Sequence, residues 1–418
     1  MSKRQQRRVE ERLKQQRKRW TWIGLALFAL FAGGGGLVYW QQQRDEEAAQ
    51  AALLRGDALA RQARTMDAMV EYDRARNLQP QKVDAWVRLA SLHAAAARYE
   101  EAAPLYEEAI CLDSTSFEAR IGLALSREGL GEFLEAEAHY KRAIEMRPNL
   151  AEVYYNLAHL YQQQRVYTSA ADLYEKAVRL RPTFIQALAN WGLVWDRLHD
   201  PGKAVEIYKK ALDIKPDEAP VYVRLGASLM KLSQYEEAEM AYEKARNLGD
   251  QRWVIWHDLG VIREQRGDMD GALAYFQRAL QADEGQADTH LRLAGVLEKR
   301  GDGDGALRHF QRTVALDPDN AGAHYGMAQL FIGQGRTEAA REMLKTFSML
   351  KEYEGRLVPL KRAVEQAPRN AQAAFNLARL HVEYGRREKA VPILRRILEL
   401  EPGFTAAIAE LEKLGLKR

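Results

Sequence analysis

The chain has 418 residues, 47% of them hydrophobic and 29% charged, with only 12 prolines, a balance that excludes a disordered or collagen-like polypeptide. Its net charge of +4 is concentrated at the start: ten Lys/Arg against five Asp/Glu stand before residue 48, leaving 52 basic and 53 acidic residues in the rest. A balanced body lacks the concentrated basic face that displaces counterions, so no nucleic-acid partner is expected.

Residues 1–19 carry Lys3, Arg4, Arg7, Arg8, Arg12, Lys14, Arg17, Lys18 and Arg19 against Glu10 and Glu11. The uncharged run WTWIGLALFALFAGGGGLVYW at 20–40 follows, long enough as a helix to cross roughly 30 Å of hydrocarbon. Trp20, Trp22, Tyr39 and Trp40 stand at its ends, where amphipathic rings suit the two interfaces. The run therefore predicts one transmembrane helix in contact with the lipid bilayer. The basic flank predicts a cytoplasmic N-terminus and a body on the far side, as for a bacterial inner-membrane protein with a periplasmic domain. A basic start, an apolar middle and small residues at Ala32 and Gly34 also suit a cleaved signal peptide, but the length and aromatic ends favour a retained anchor. Ala29/Gly33 and Ala32/Gly36 have the four-residue spacing that lets membrane helices approach closely, which allows a homodimer through this segment. Residues 41–48 read as a linker.

From residue 49 the chain repeats every 34 residues. Ala68, Ala102, Ala136, Ala170, Ala204, Ala238, Ala272 and Ala306 form one row, and Tyr72, Tyr106, Tyr140, Tyr174, Tyr208, Tyr242, Phe276 and Phe310 follow four residues later. Leu89-Ala90, Leu123-Ala124, Leu157-Ala158, Leu225-Gly226, Leu259-Gly260 and Leu293-Ala294 mark the first half of each unit, with Trp191-Gly192 once in their place. Pro80, Pro148, Pro182, Pro216 and Pro318 close units. Apolar residues at three- and four-residue spacings make each half an amphipathic helix. Small residues let two helices touch, the aromatic fills the space beside them, and the proline stops the second helix. Such a helix pair buries its faces only by stacking on neighbours.

This pattern closely resembles the tetratricopeptide-repeat (TPR) family over residues 49–404. The resemblance implies an all-α solenoid, a right-handed superhelix of antiparallel helix pairs. Nine repeats are placed over 49–354 in 34-residue steps. RLVPLKRAVEQAP then reads as a half-repeat insert at 355–370, which is expected to deform the stack near 336–370. A further repeat at 371–404 is anchored by Leu377-Ala378, Ala390 and Pro402, and 405–418 reads as a capping helix.

TPR proteins grip partner segments on the inner face of each first helix, and the resemblance implies that repeat positions 2, 5, 6, 9 and 12 face that groove. Here these include Tyr155, Asn156, His159, Asn190, Arg224, His257, Asp258, Arg292, Tyr325, Gln329, Asn376 and Arg379. The Lys/Asn set with which some members clamp a chaperone's carboxylate tail is missing. No catalytic or cofactor motif is present, and Cys111, as the single cysteine, excludes an internal disulfide and a cysteine-ligated zinc site. His290 and His324 share a position in successive repeats and could approach each other, but that position packs between helices, so no metal is expected. GDGDG at 301–305 lacks the ligand spacing of a calcium loop and sits at an inter-helix turn. The expected function is a non-catalytic, membrane-anchored scaffold or assembly factor for protein partners. A regulatory adaptor delivering substrates to a membrane enzyme or protease, or a protein resembling organelle import receptors, are the alternatives.

Overall fold

A computed structural model of the chain describes Lys18, Thr21 and residues 38–367 and 370–416, and every regular element in them is a helix. The expected transmembrane segment 20–40 lies outside the described residues apart from Thr21 and 38–40. Among the described residues no helix is long and apolar enough to cross a membrane.

The chain divides into two compact units, Met1–Pro216 and Asp217–Arg418. In the first, helix α1 is described over 38–61. It is followed by α2 (Thr65–Leu78), α3 (Val83–Ala95), α4 (Tyr99–Leu112), α5 (Phe117–Gly129), α6 (Phe133–Met146), α7 (Ala151–Gln163), α8 (Tyr167–Leu180), α9 (Ile185–Arg197) and α10 (Pro201–Ile214). The second holds α11 (Ala219–Lys231), α12 (Tyr235–Asn247), α13 (Trp253–Gln265), α14 (Met269–Ala282), α15 (Ala287–Lys299), α16 (Gly303–Leu316), α17 (Ala321–Gly333), α18 (Thr337–Gln366), α19 (Ala371–Glu383), α20 (Arg387–Leu400) and α21 (Thr405–Lys413). Within each unit, successive helices pack as antiparallel pairs, and the pairs stack. Residues 41–48, read from the sequence as a linker, are helical and lie within α1; their Gln, Arg, Glu and Ala residues are strong helix formers.

The repeat is visible in the backbone. Residues Ala63, Ala97, Gly131, Arg165, His199, Ser233, Gly267, Gly301 and Gly335 all have φ between 55° and 83°. Each ends the first helix of a pair in the left-handed conformation and turns the chain back, a position glycine fills most easily. Asp200, Asp268 and Asp302 then cap the second helix by accepting a backbone N–H three residues on. GDGDG is thus a turn and a cap, and no cluster of three or more potential metal ligands occurs among the described residues. Pro80, Pro148, Pro182, Pro216 and Pro318 each follow directly on the closing residue of a second helix.

The aromatic row forms the core. Tyr140, Tyr174, Tyr208, Tyr242 and Phe276 are fully buried, each worth about 1.5–3 kcal/mol in apolar area removed from water. Glycines make room for the rings: a Cβ on Gly192 would stand 2.5 Å from the Tyr208 ring, and one on Gly226 2.7 Å from the Tyr242 ring.

The expected boundary at 354/355 falls inside α18, a continuous helix of 30 residues where α14 and α16 have 14. No Gly-Asp turn interrupts it, and the isolated Gly355 and Pro359 are absorbed. At 1.5 Å per residue α18 reaches about 45 Å. Its first half packs on α17, with Phe347 5.1 Å from Tyr325. Its second half packs on α19, where Arg356 forks onto both Glu383 oxygens at 2.5 and 2.7 Å. Asp319, before α17, pairs with Arg386 and Lys389 at the α19–α20 turn. The start of α17 therefore meets the end of α19, and the two lie end to end along α18. The insert displaces the last repeat along the helix axis by half a period.

Candidate partner-binding surface

In the first unit, four of the candidate residues come together. Tyr155 and Asn156 are neighbours on α7 with His159 one turn on, and Asn190 reaches over from α9. Its amide donates to the Tyr155 hydroxyl at 3.2 Å. The Tyr155 ring rests 4.9 Å from Phe184 and 5.7 Å from Tyr174. His159 Nδ1 lies 3.2 Å from a Glu128 oxygen, and Glu128 also accepts from Gln163 at 2.7 Å and from Tyr140 at 2.8 Å. Burial first, and the facing carboxylate second, push the Tyr140 hydroxyl far up, so it remains a donor. Tyr155, Asn156, His159 and Asn190 are all partly exposed. Asn156 lies among these ordered side chains, and its amide makes no hydrogen bond among the described residues.

The second unit treats its candidates differently. His257 is buried: its Nδ1 meets the Thr289 hydroxyl at 2.9 Å and its Nε2 an Asp288 oxygen at 3.1 Å. Threonine, histidine and aspartate in that order resemble a nucleophile, a base and an orienting acid. The Thr289 side chain is completely buried, however, and the arrangement clamps α13 to α15 instead of facing a substrate. Asp258 accepts from the Tyr242 hydroxyl. Burial pushes its carboxyl up, against the Tyr242 bond and the His257 charge. Arg292 lies 3.5 Å from Glu264, which also takes Lys299 at 2.9 Å. Tyr325 and Gln329 are exposed on α17, and Asn376 and Arg379 on α19; Asn376 accepts from Gln372 at 3.0 Å. Arg224 on α11 is partly exposed. The approach of His290 to His324 does not occur: His290 Nδ1 meets His309 at 2.8 Å, and His324 bonds the Pro318 carbonyl. The helix pair within one repeat brings residues 19 apart closer than the stacking brings residues 34 apart.

Glu128, Gln162 and Asp196 complete the surface in the first unit and were not singled out in the sequence. Each receives the hydroxyl of the tyrosine 12 residues later, Tyr140, Tyr174 and Tyr208, at 2.8, 2.8 and 3.2 Å. That constant spacing was the available signal.

Family models described as tetratricopeptide repeat match residues 53–119, 151–184 and 217–285, and also 264–307, 297–349 and 359–414. One described as TPR repeat matches 129–164. No curated protein matches the chain. Among solved structures, PilF of Pseudomonas aeruginosa is 21% identical, with 52% of this chain and 97% of that one covered at a TM-score of 0.45. A tetratricopeptide repeat protein from Parabacteroides merdae is 14% identical, with 60% and 99% covered, at 0.45. YrrB, described as a TPR protein with an unusual peptide-binding site, is 24% identical, with 44% and 94% covered, at 0.38. With the 34-residue period and the stacked helix pairs, the matches along its length mean that the chain belongs to the tetratricopeptide-repeat family.

Proposed function

We propose that the protein is a membrane-anchored, non-catalytic scaffold that holds an extended segment of a protein partner against α7 and α9. The observation that carries this reading is the Asn156 amide, without a hydrogen-bond partner among the described residues and flanked by Tyr155 and His159. An asparagine side chain offers two donors and an acceptor, matching the backbone of an extended segment without reading its sequence. Tyr155 is stacked and hydrogen-bonded in advance, which lowers the ordering cost of binding. The uncharged run at 20–40 supplies the anchor, and its basic flank places the repeats on the far side of the membrane, as in an envelope assembly factor. Acyl-chain contact is confined to that run, whose small residues allow pairing of two copies.

The test compares capture of membrane and envelope proteins by the full chain and by Asn156→Ala, quantified by mass spectrometry. A defined set of proteins should fall at least tenfold with the variant while helicity is unchanged. An identical set on both would overturn the reading. Labelling exposed Cys111 with a membrane-impermeant thiol reagent tests the placement. Reaction in intact spheroplasts is expected, and protection until lysis would reverse the orientation.

A further inference from the structure

Helix α1 is described from Val38, two residues before the end of the uncharged run, and continues to residue 61 with neither proline nor glycine before Gly56. Nothing in 38–55 breaks it, so anchor and repeats are joined without a flexible spacer there. We infer that this unbroken helix holds the α2–α3 turn, residues 79–82, against the headgroup layer of the bilayer, so that the first repeat is docked on the membrane surface in a fixed orientation. The inference rests on the reading of 20–40 as a retained anchor.

The helix is locked onto the repeat. Ala49 and Ala52 are buried against Ala75 of α2 and Ala85 of α3. Arg55 meets Glu71 at 2.9 Å, and the Tyr72 hydroxyl donates to Asp57 at 2.7 Å. Lys82 and Arg88 pair with Glu46 and Asp57. A swing of α1 away from α2 and α3 would break these contacts together. The Lys82–Glu46 pair sets the turn level with a residue six positions beyond Trp40, about 9 Å along the helix axis. Val38 and Gln41 share a shallow cleft with Leu78, Pro80 and Gln81, so the turn reaches lower still. The headgroup layer adds about 5–8 Å on each side of the hydrocarbon. With Trp40 at the hydrocarbon edge, the turn meets that layer.

The side chains at this end suit it. The Arg44 guanidinium lies 5.1 Å from the Trp40 ring centroid, and that of Arg76 4.9 Å from Trp86. Trp86 also donates its indole N–H to the Pro80 carbonyl at 2.9 Å, beside the turn. Tryptophan with a polar partner is an interfacial arrangement. Gln41, Gln42, Gln43 and Gln81 are exposed, and offer uncharged donors and acceptors to phosphate and ester oxygens. Arg44 and Lys82 stand against Asp45, Glu46 and Glu47. That near balance gives no pull toward anionic lipid, so a zwitterionic headgroup layer is the fitting surface and α1, not net charge, holds the turn to it.

The experiment reconstitutes the full chain in vesicles of phosphatidylethanolamine and phosphatidylcholine carrying a nitroxide on the headgroup. A fluorophore is attached at Gln81→Cys or, as a control, at Gln62→Cys, each in a Cys111→Ser background. Both positions are exposed, and Gln62 lies about 33 Å beyond Trp40 at the far end of α1. Quenching at position 81 is expected to exceed that at 62 at least threefold. Inserting Gly-Ser-Gly-Ser between Gln43 and Arg44, with helicity unchanged, should bring position 81 down to the level of 62. Equal quenching at the two positions in protein that resists alkaline carbonate extraction would overturn this inference and leave the anchor standing. Quenching at 81 that survives the insertion, or that requires anionic lipid, would also overturn it, because something other than α1 would then hold the turn. Release of the chain by carbonate would remove the anchor and the inference together.

Discussion

The two units solve one packing problem with different polar chemistry. In the first, Tyr140, Tyr174 and Tyr208 bury their rings and send their hydroxyls to Glu128, Gln162 and Asp196 of the same repeat. In the second, the row changes after Tyr242 to Phe276 and Phe310, which have no hydroxyl to give. Glu264 takes Arg292 and Lys299, His257 takes Asp288 and Thr289, and Tyr242 reaches Asp258. At Tyr140, Tyr174 and Tyr208 the hydroxyl ties down a polar side chain of its own repeat, and Glu128 in addition takes His159 and Gln163 of the next one. Where it is lost, ion pairs and a buried histidine stitch neighbouring repeats, and candidates such as His257 become structural.

The rings themselves are shared by both units, so overfilling their sockets should damage either. Gly226→Ala drives a methyl group toward the buried Tyr242 ring. A loss of about 1–3 kcal/mol in urea unfolding is expected, and Gly192→Ala should behave alike in the first unit. Unchanged stability in both would mean that the rings are not locked.

The turns distinguish the units next. The first holds Ala63, Ala97, Arg165 and His199 at left-handed φ, with glycine only at Gly131, whereas the second has Ser233 and then Gly267, Gly301 and Gly335. Ala97→Gly should stabilise by about 1 kcal/mol and Gly267→Ala destabilise by about 1–2 kcal/mol. Shifts of the same sign would contradict the turn assignment.

Removing one hydroxyl sharpens the contrast directly. Tyr140→Phe leaves Glu128 with two donors in place of three and should cost about 1 kcal/mol. It should also loosen His159, seen as faster exchange in its imidazole NMR signals. An effect on stability without one on His159 would separate the core from the surface.

The smallest effect is on pH. Burial raises the Asp258 carboxyl, so its ionised form is disfavoured in the folded protein, and that contribution to stability falls as pH rises from about 4 through the raised value. Asp258→Asn should therefore gain on the wild type as pH rises above about 4. Asp288, held down by its bond to His257, has the opposite sign. Its contribution is present above about pH 4 and lost as pH falls through the lowered value, so Asp288→Asn should lose least in acid. Matching pH profiles for the two variants would refute this reading.

The fold was legible because a 34-residue period states the same helix pair many times. Two features were not. Gly355 and Pro359 suggested a break, yet α18 continues, because the packing of Tyr353 on α19 and the Arg356–Glu383 fork outweigh one missing hydrogen bond. Residues 41–48 lack an apolar face and suggested a linker, but their composition favours helix. At the surface, Tyr155, Asn156 and Asn190 could be placed by repeat position alone. The burial of His257 could not, because it depends on α15 closing over α13.

The central claim is that α7 and α9 face a partner. Photo-crosslinking in living cells tests it, with p-benzoyl-phenylalanine placed at position 156 and, as a control, at Leu134, which is 81% exposed on α6. The account predicts a discrete crosslinked species from position 156 and none from position 134. Equal yields from both positions, or crosslinks from position 134 alone, would contradict it.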